Sequence, residues 1–413
     1  MRCLLKLLRK SIDVLKDKLK KKENNIKKNK RTYKSHDVDI ILYDRLVFWL
    51  SLILFACGLI MVVSTSIPIG ENLYHDPFFF VKREIFYFFL IFVLSCIILQ
   101  IPMIFWKRNS KIILIISILL LGSVLFIGHS IHGSSRWINI GLLHIQPSEI
   151  CKISSFCYIS DYLSRKYQEA RNNFWGFLKP ISIIVIQVVL LLAEPDLGSA
   201  IVIFFTSLSV LFLSGVKIKQ FLMIVLISIL MIVLLILLEP YRVKRILSFW
   251  NPWQDPFGNG YQLTQSLIAL GQGNYFGQGL GNSIQKLYYL PDAHSDFIFS
   301  IIGEELGYIG ASCILLAIFT ISLRAMYIGK QSLEQQKIFS GFLACSIGIW
   351  FSFQTLINVG AVTGILPTKG LTLPFISYGG SSLIVNSIAI FFLLRIDFEN
   401  RLRTIQAFPK AKK

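Results

Sequence analysis

The chain has 413 residues, 54% of them hydrophobic, and a mean hydropathy of +0.62. Soluble globular chains hold roughly 45–50% apolar residues, in short runs broken by charge, whereas the apolar blocks here run long, as in Ile112–Ile127 and Ile201–Leu213. A hydrocarbon core of about 30 Å takes roughly 20 such residues per helical span, so a soluble fold is excluded and the net charge of +19 belongs to a membrane protein.

Much of that charge lies in the first 42 residues, with Lys20, Lys21, Lys22, Lys27, Lys28, Lys30 and Arg31 close together. The stretch lacks interleaved aromatics and directly precedes the first apolar block. It therefore reads as a disordered cytoplasmic tail that sets topology and attracts anionic lipid, not as a nucleic-acid arm. It is too charged for a cleaved signal peptide.

Hydropathy then predicts an all-α polytopic membrane protein of about ten transmembrane helices. In chain order they cover residues 46–66, 84–101, 111–128, 148–164, 178–193, 198–215, 219–239, 297–324, 337–358 and 379–397. The membrane domain spans 43–403, and 404–413 form a second cytoplasmic tail. Cytoplasmic loops carry excess Lys and Arg. Lys107, Arg108 and Lys111, then Arg165, Lys166, Arg171 and Lys179, then Lys217 and Lys219 fall on one side. So do Arg324, Lys330 and Lys337, with Arg395, Arg401 and Arg403 after the last helix. Both termini are thus expected in the cytoplasm. Four polar stretches face outward: 129–147, 194–197, the large loop 240–296 between helices seven and eight, and 359–378.

Outer loops normally avoid cations, yet these contain Arg136, Arg242, Lys244, Arg245, Lys286 and Lys369. Arg and Lys pair with phosphate oxygens through charge-assisted hydrogen bonds. Arg242, Lys244 and Arg245 suit headgroup anchoring as well as a ligand. Arg136 and Lys369, set in Gly/Pro-rich loops, favour a polyanionic ligand at the outer leaflet.

Glu149 and Lys152, spaced i, i+3 near the outer end of helix four, share a face and can pair. A charge pair inside a span faces a cavity or relay, or else locks helices together. Asp296, in LPDAHSDFIFS, is either the N-cap of helix eight or a general base at the membrane surface. Glu304 and Glu305 follow on that helix as cavity-facing groups or partners of buried cations, with Glu304 the one expected to face a cavity. His129 and His132 have ligand-like spacing but no neighbouring carboxylate. The seven cysteines show no zinc-site spacing and read as small buried residues.

Several strings are recognisable. RWINIGLLHIQPSEICKI at 136–153, AEPDLGSA at 193–200, GNGYQLTQSLIALGQG at 258–273, GLGNSIQKLYYLPDAHSDFIFSIIGEELG at 279–307 and NVGAVTGILPTKGLTLPFISYGGSSL at 358–383 resemble, in order, the signatures of the SEDS family of shape, elongation, division and sporulation proteins. YDRLVFWLSLILFACGLIMVVSTS at 43–66 fits too, and the closing block looks like the cell-division branch more than the elongation branch. The resemblance implies a ten-helix fold and a peptidoglycan glycosyltransferase acting on lipid II, the undecaprenyl-pyrophosphoryl disaccharide-pentapeptide. It also implies a class B penicillin-binding transpeptidase and other division proteins as partners, at the septum of the cytoplasmic (inner) membrane. Carried over residue by residue, the essential carboxylate falls on Asp296 and the cavity pair on Glu149 and Lys152. Further motif positions fall on Arg136, Gln146, Pro147, Ser148, Lys369, Ser377, Gly379 and Gly380.

The implied reaction is attack of one lipid-linked sugar hydroxyl on the anomeric carbon of another, with undecaprenyl pyrophosphate leaving. Asp296 would take the proton, while Arg136 and Lys369 would stabilise the leaving group. A divalent cation, Mg or Mn, is a candidate cofactor without a legible ligand set. A lipid II flippase, an elongation-branch polymerase and a non-enzymatic scaffold are the alternatives.

Overall fold

The computed structural model describes residues 43–127, 129–131, 134–140, 143–237, 249–258, 260–367 and 370–407. Lys369, His132, Arg242, Lys244 and Arg245 lie outside them.

Each predicted span has a helical counterpart: α1 Arg45–Tyr74, α2 Phe79–Ile98, α3 Met103–Ile127, α4 Pro147–Asn172, α5 Phe174–Ala193, α6 Leu197–Leu213 and α7 Ile218–Leu237. After a shorter α8, Tyr261–Gln272, come α9 Ile298–Glu334, α10 Ile338–Val362 and α11 Gly380–Ala407. Among the described residues, six helices are long and apolar enough to cross a membrane: α1, α3, α5, α9, α10 and α11. Helices α6 and α7 are shorter apolar helices. The architecture is that of a polytopic, almost wholly α-helical membrane protein. Two elements depart from the sequence reading. The 129–147 stretch, expected as a loop, contains an antiparallel sheet of β1 His129–Ile131, β2 Ser134–Ile140 and β3 Leu143–Ile145. Helix α8 lies within the long loop.

The apolar faces pack into two adjoining cores. One draws on α1, α9, α10 and α11, with Met61, Ile298, Trp350 and Phe392 among its buried residues; the other draws on α3 to α6, around Leu121, Phe177 and Ile203. Helix α4 sits where they meet, which explains why it is polar. Enclosed by protein rather than lipid, it can bury Ser148, Ser154, Ser155 and Ser160, because small polar residues let helices approach and bond across the contact. Gln187 of α5 accepts from Ser155 at 2.7 Å, and Ser154 donates to Ser117 of α3 at 2.7 Å.

The helix ends sort as the charge bias predicts. The starts of α1, α3 and α10 meet the end of α11: Glu399 accepts from the amide of Met103 at 2.9 Å and its carbonyl from Lys337 at 2.6 Å, while Asp44, capping α1, faces Arg401 at 4.0 Å and pairs with Arg324 of α9. The opposite end, outer in the orientation expected from the charge bias, carries the sheet and the starts of α4, α9 and α11.

Helix α9 breaks at Gly307, whose φ of +70° suits glycine alone at little cost. A break strands backbone groups that must be satisfied inside a membrane protein. The 274–279 segment supplies them. Tyr308 and Ile309 donate their amides to the carbonyls of Asn274 and Tyr275, while Gln278 and Gly279 donate to those of Glu304 and Glu305.

Candidate active site

Asp296 stands at the outer end of α9, on a loop fixed by its own backbone. Ser295 and Phe297 donate their amides to Asp292 O at 3.1 and 3.3 Å, and Tyr378 donates its amide to His294 O at 3.0 Å. The capping alternative is not met. The residue preceding α9 is Phe297, and no side chain caps that first turn. Asp296 instead turns its carboxylate toward the backbone of Gly370, where an added β-carbon would stand 3.0 Å from Oδ2. Residue by residue the position is half-buried, but protein encloses the carboxylate on most sides. That desolvation, chiefly, raises its pKa to about 7; Asp292 and Asp196 push it further up and Arg136 pulls it down. A carboxyl poised near neutrality is suited to general base chemistry.

Arg136 reaches this site from β2. Its Nε donates to Glu194 O at 3.1 Å and its Nη2 to Pro195 O. It thereby holds the turn between α5 and α6. A guanidinium has five N–H donors, so these two bonds leave capacity for a ligand. Glu194 beside it is raised to about 8 by burial and by Asp196, against the pull of Arg136. Asp196 caps α6 by accepting from the Ser199 amide at 3.1 Å, and its other oxygen is buried without a protein partner.

Glu149 and Lys152 form the expected ion pair, at 2.7 Å, with 0% of the Lys152 side chain exposed. Lys152 also donates to Gln354 Oε1 at 3.1 Å, and one Glu149 oxygen is buried without a partner. The pair is enclosed, so any link to Asp296 runs through protein. The cavity of about 570 Å³ between α1 and the 280–287 segment, lined by Leu59, Val63, Ser64, Pro68, Gly281 and Lys286, touches neither Asp296, Arg136 nor the Glu149–Lys152 pair.

The remaining predicted positions organise the backbone. Gln146 donates its amide to Ser381 Oγ at 3.0 Å, and Ser381 donates to His144 O at 2.7 Å, joining β3 to the start of α11. Pro147 opens α4 at its first position, and Ser148 is buried. Ser377 accepts from the Leu373 amide at 2.7 Å, closing the turn before α11. At Gly380 an added β-carbon would meet the Tyr87 ring at 2.1 Å, so glycine is required for close packing; Gly379 has ordinary room.

Two expectations are corrected. Lys286 is not free for an outer ligand: it is buried and pairs with Glu305 at 2.8 Å, with Ser64 bonded to both. Glu304 faces no cavity, since its oxygens accept from Ser283 and the Ile284 amide. Both carboxylates pin the large loop to α9. Sequence reasoning also missed Gln354, Asn358, Arg83 and His294. Arg83 Nη1 lies 2.8 Å from His144 Nε2, and the His294 ring packs between Phe80 and Tyr378, where burial lowers its pKa. Amides inside an apolar run, as at 354 and 358, were the available signal. Among the described residues no group of three or more His, Cys, Asp or Glu could hold a metal ion.

The family profile described as "Cell cycle protein", which covers FtsW, RodA and SpoVE, matches residues 44–402. The probable peptidoglycan glycosyltransferase FtsW of Buchnera aphidicola subsp. Acyrthosiphon pisum is 74% identical, over 95% of this chain and 99% of its own. A chain solved in a peptidoglycan synthase complex, in a study of how polymerization and crosslinking are coordinated, is 25% identical with a TM-score of 0.72, covering 87% of this chain and 98% of that one. The crystal structure of the Thermus thermophilus rod shape determining protein RodA is 23% identical with a TM-score of 0.64, covering 86% and 96%, and shares the fold.

Proposed function

The chain belongs to the SEDS family of cell cycle proteins, and from that premise we propose that it is a peptidoglycan glycosyltransferase polymerising lipid II during division. In this reading the chain has ten spans, both termini in the cytoplasm and the reaction at the outer face of the cytoplasmic membrane, which the Lys/Arg bias of its loops supports. The observation that carries this reading is Asp296: a carboxylate with no capping duty, enclosed near the cation of Arg136.

The substrate is anchored in the outer leaflet, so its sugar and pyrophosphate lie at the depth of the α9 mouth. The 4-hydroxyl of an acceptor GlcNAc attacks C1 of the donor MurNAc as Asp296 takes the hydroxyl proton. The C1–O bond to pyrophosphate breaks and undecaprenyl pyrophosphate departs with that electron pair. A single displacement inverts the anomeric centre, α to β. Arg136, placed by the α5–α6 turn, and Lys369, one residue before Gly370, supply positive charge to the leaving group in a poorly hydrated site. Among the described residues no group of three or more His, Cys, Asp or Glu stands ready for a divalent cation, and Arg136 and Lys369 carry the positive charge in this reading.

The partner fitting this chemistry is a class B penicillin-binding transpeptidase, which crosslinks the emerging strands. The structural likeness to a chain of a peptidoglycan synthase complex supports that pairing. The test is purified protein with labelled lipid II, alone and with the transpeptidase. Glycan strands should form, and undecaprenyl pyrophosphate should be released with each bond. Translocation of lipid II across vesicles without polymer would contradict the reading.

A further inference from the structure

Two carboxamides in the interior of α10 make unusual bonds. Gln354 and Asn358 lie one turn apart, on the same face, and are 0% and 1% exposed. Polar groups buried in a membrane protein are costly unless paired, and pairing between neighbouring helices is the ordinary solution. The amide nitrogens of these two reach instead to the backbone of the outer loops. Asn358 Nδ2 donates to Asp296 O at 2.9 Å and to Leu371 O at 2.6 Å. Gln354 Nε2 donates to Thr372 O at 2.8 Å, while its Oε1 accepts from Trp350 Nε1 at 2.6 Å and Lys152 Nζ at 3.1 Å.

The consequence is geometric. The loop ending at Asp296 and the segment following Lys369 and Gly370 come from sequence regions far apart. One amide group, on Asn358, joins them. Its own oxygen, buried without a protein partner, leaves that donor group as its whole contribution. Gln354 fastens the next residue, Thr372, to the same helix and takes a bond from the buried Glu149–Lys152 pair, which orients the carboxamide. Leu371 packs closely over Gly198, in the first turn of α6 beside Asp196. A continuous line of bonds thus runs from the ion pair in α4 to the carbonyl of Asp296.

We infer that Gln354 and Asn358 are positioning residues for glycosyl transfer: they clamp the 371–372 backbone against the Asp296 loop and so set the spacing between the Asp296 carboxylate and the Gly370 backbone. The inference rests on Asp296 being the base. Neither amide touches substrate; both act through the segments they hold. The Glu149–Lys152 pair then serves as the fixed end of the clamp rather than as a route for protons. An error of about 1 Å in the placement of a catalytic group costs on the order of 10²-fold in rate, so losing the Asn358 bridge should register in turnover.

The test uses the full chain with its transpeptidase partner, reconstituted with fluorescent lipid II, and records turnover, KM, the pH profile and thermal unfolding. Asn358→Ala should lower turnover by about 10- to 100-fold with KM unchanged. The acid limb should move to lower pH as water reaches the carboxylate, whose other charged neighbours, Asp292, Arg136 and Asp196, stay in place. Asn358→Ser, which keeps a shorter donor, should recover part of the turnover. Combining Asn358→Ala with Asp296→Asn should cost nothing beyond Asp296→Asn alone, because effects through one group are not additive. Wild-type turnover in Asn358→Ala, a loss matching the unfolded fraction with an unmoved acid limb, or additive losses in the double variant would overturn the inference. If Asn358→Ala does not fold, Asn358→Ser and Gln354→Leu decide by the same criteria. Should Asp296→Asn alone keep its activity, the base assignment fails, and that outcome is read separately from the Asn358 variants.

Discussion

The Asp296 carboxylate and the Gly370 backbone are so close that a β-carbon on residue 370 would lie 3.0 Å from Oδ2. The loop that precedes α9 and the segment that follows α10 therefore meet at the carboxylate, and glycine at 370 keeps that meeting open. Gly370→Ala should displace Asp296 by a few tenths of an ångström and lower turnover by about 10-fold, given the steep dependence of rate on placement. Protein yield and thermal unfolding should stay at wild-type values. Full polymerisation activity in Gly370→Ala would show that the carboxylate tolerates displacement.

Arg136 lowers the proton affinity of both Asp296 and Glu194. A general base works when ionised, so activity should fall as pH drops through the Asp296 pKa of about 7. Removing the cation disfavours the ionised form and raises that pKa. Arg136→Gln should accordingly move the acid limb of the turnover profile to higher pH, in addition to weakening lipid II binding. An acid limb that stays put, measured across a pH series at saturating lipid II, would separate Arg136 from Asp296.

The buried Glu149–Lys152 pair makes a stability prediction. Removing one partner of a buried pair strands the other charge, at about 3–5 kcal/mol. Lys152→Met should lower thermal stability in detergent by that order and also release Gln354. Glu149→Gln with Lys152→Met should restore much of the stability without restoring turnover, since the Gln354 bond stays lost. Unchanged unfolding in Lys152→Met would mean that the pair is not the anchor its burial suggests.

Much of this was legible in the sequence because a membrane core imposes one requirement: roughly 20 apolar residues per span. Helix α5 illustrates it, ending at Ala193 where the apolar run ends. Where that requirement lapses, the reading was blunter. Helix α1 continues to Tyr74 rather than stopping at 66, because backbone hydrogen bonding carries a helix through Glu71 and Asn72 once the apolar run is over. Helix α8 has 12 residues and lies in a loop, too short for a hydropathy search tuned to spans. The strand pairing of Ile138 with Ile145 across residues 141 and 142 was hidden in a polar-looking stretch. At the site, charge made Asp296, Arg136 and the Glu149–Lys152 pair visible. Their partners were not visible: the bonds of Arg136 and Asn358 go to backbone carbonyls, which no side-chain pattern marks, and the fastening of Lys286 to Glu305 depends on how the loop folds back onto α9.

The assignment of Asp296 as the base is tested most directly by Asp296→Asn. The substitution preserves size and an acceptor oxygen but removes the titratable group. Purified Asp296→Asn should fold, insert and bind lipid II as the wild type does, yet polymerise it about 10²–10⁴-fold more slowly. The slow residual rate should no longer fall as pH drops through about 7, where the wild-type carboxyl titrates. Wild-type polymerisation by a well-folded Asp296→Asn protein, with the acid limb still present, would contradict the assignment.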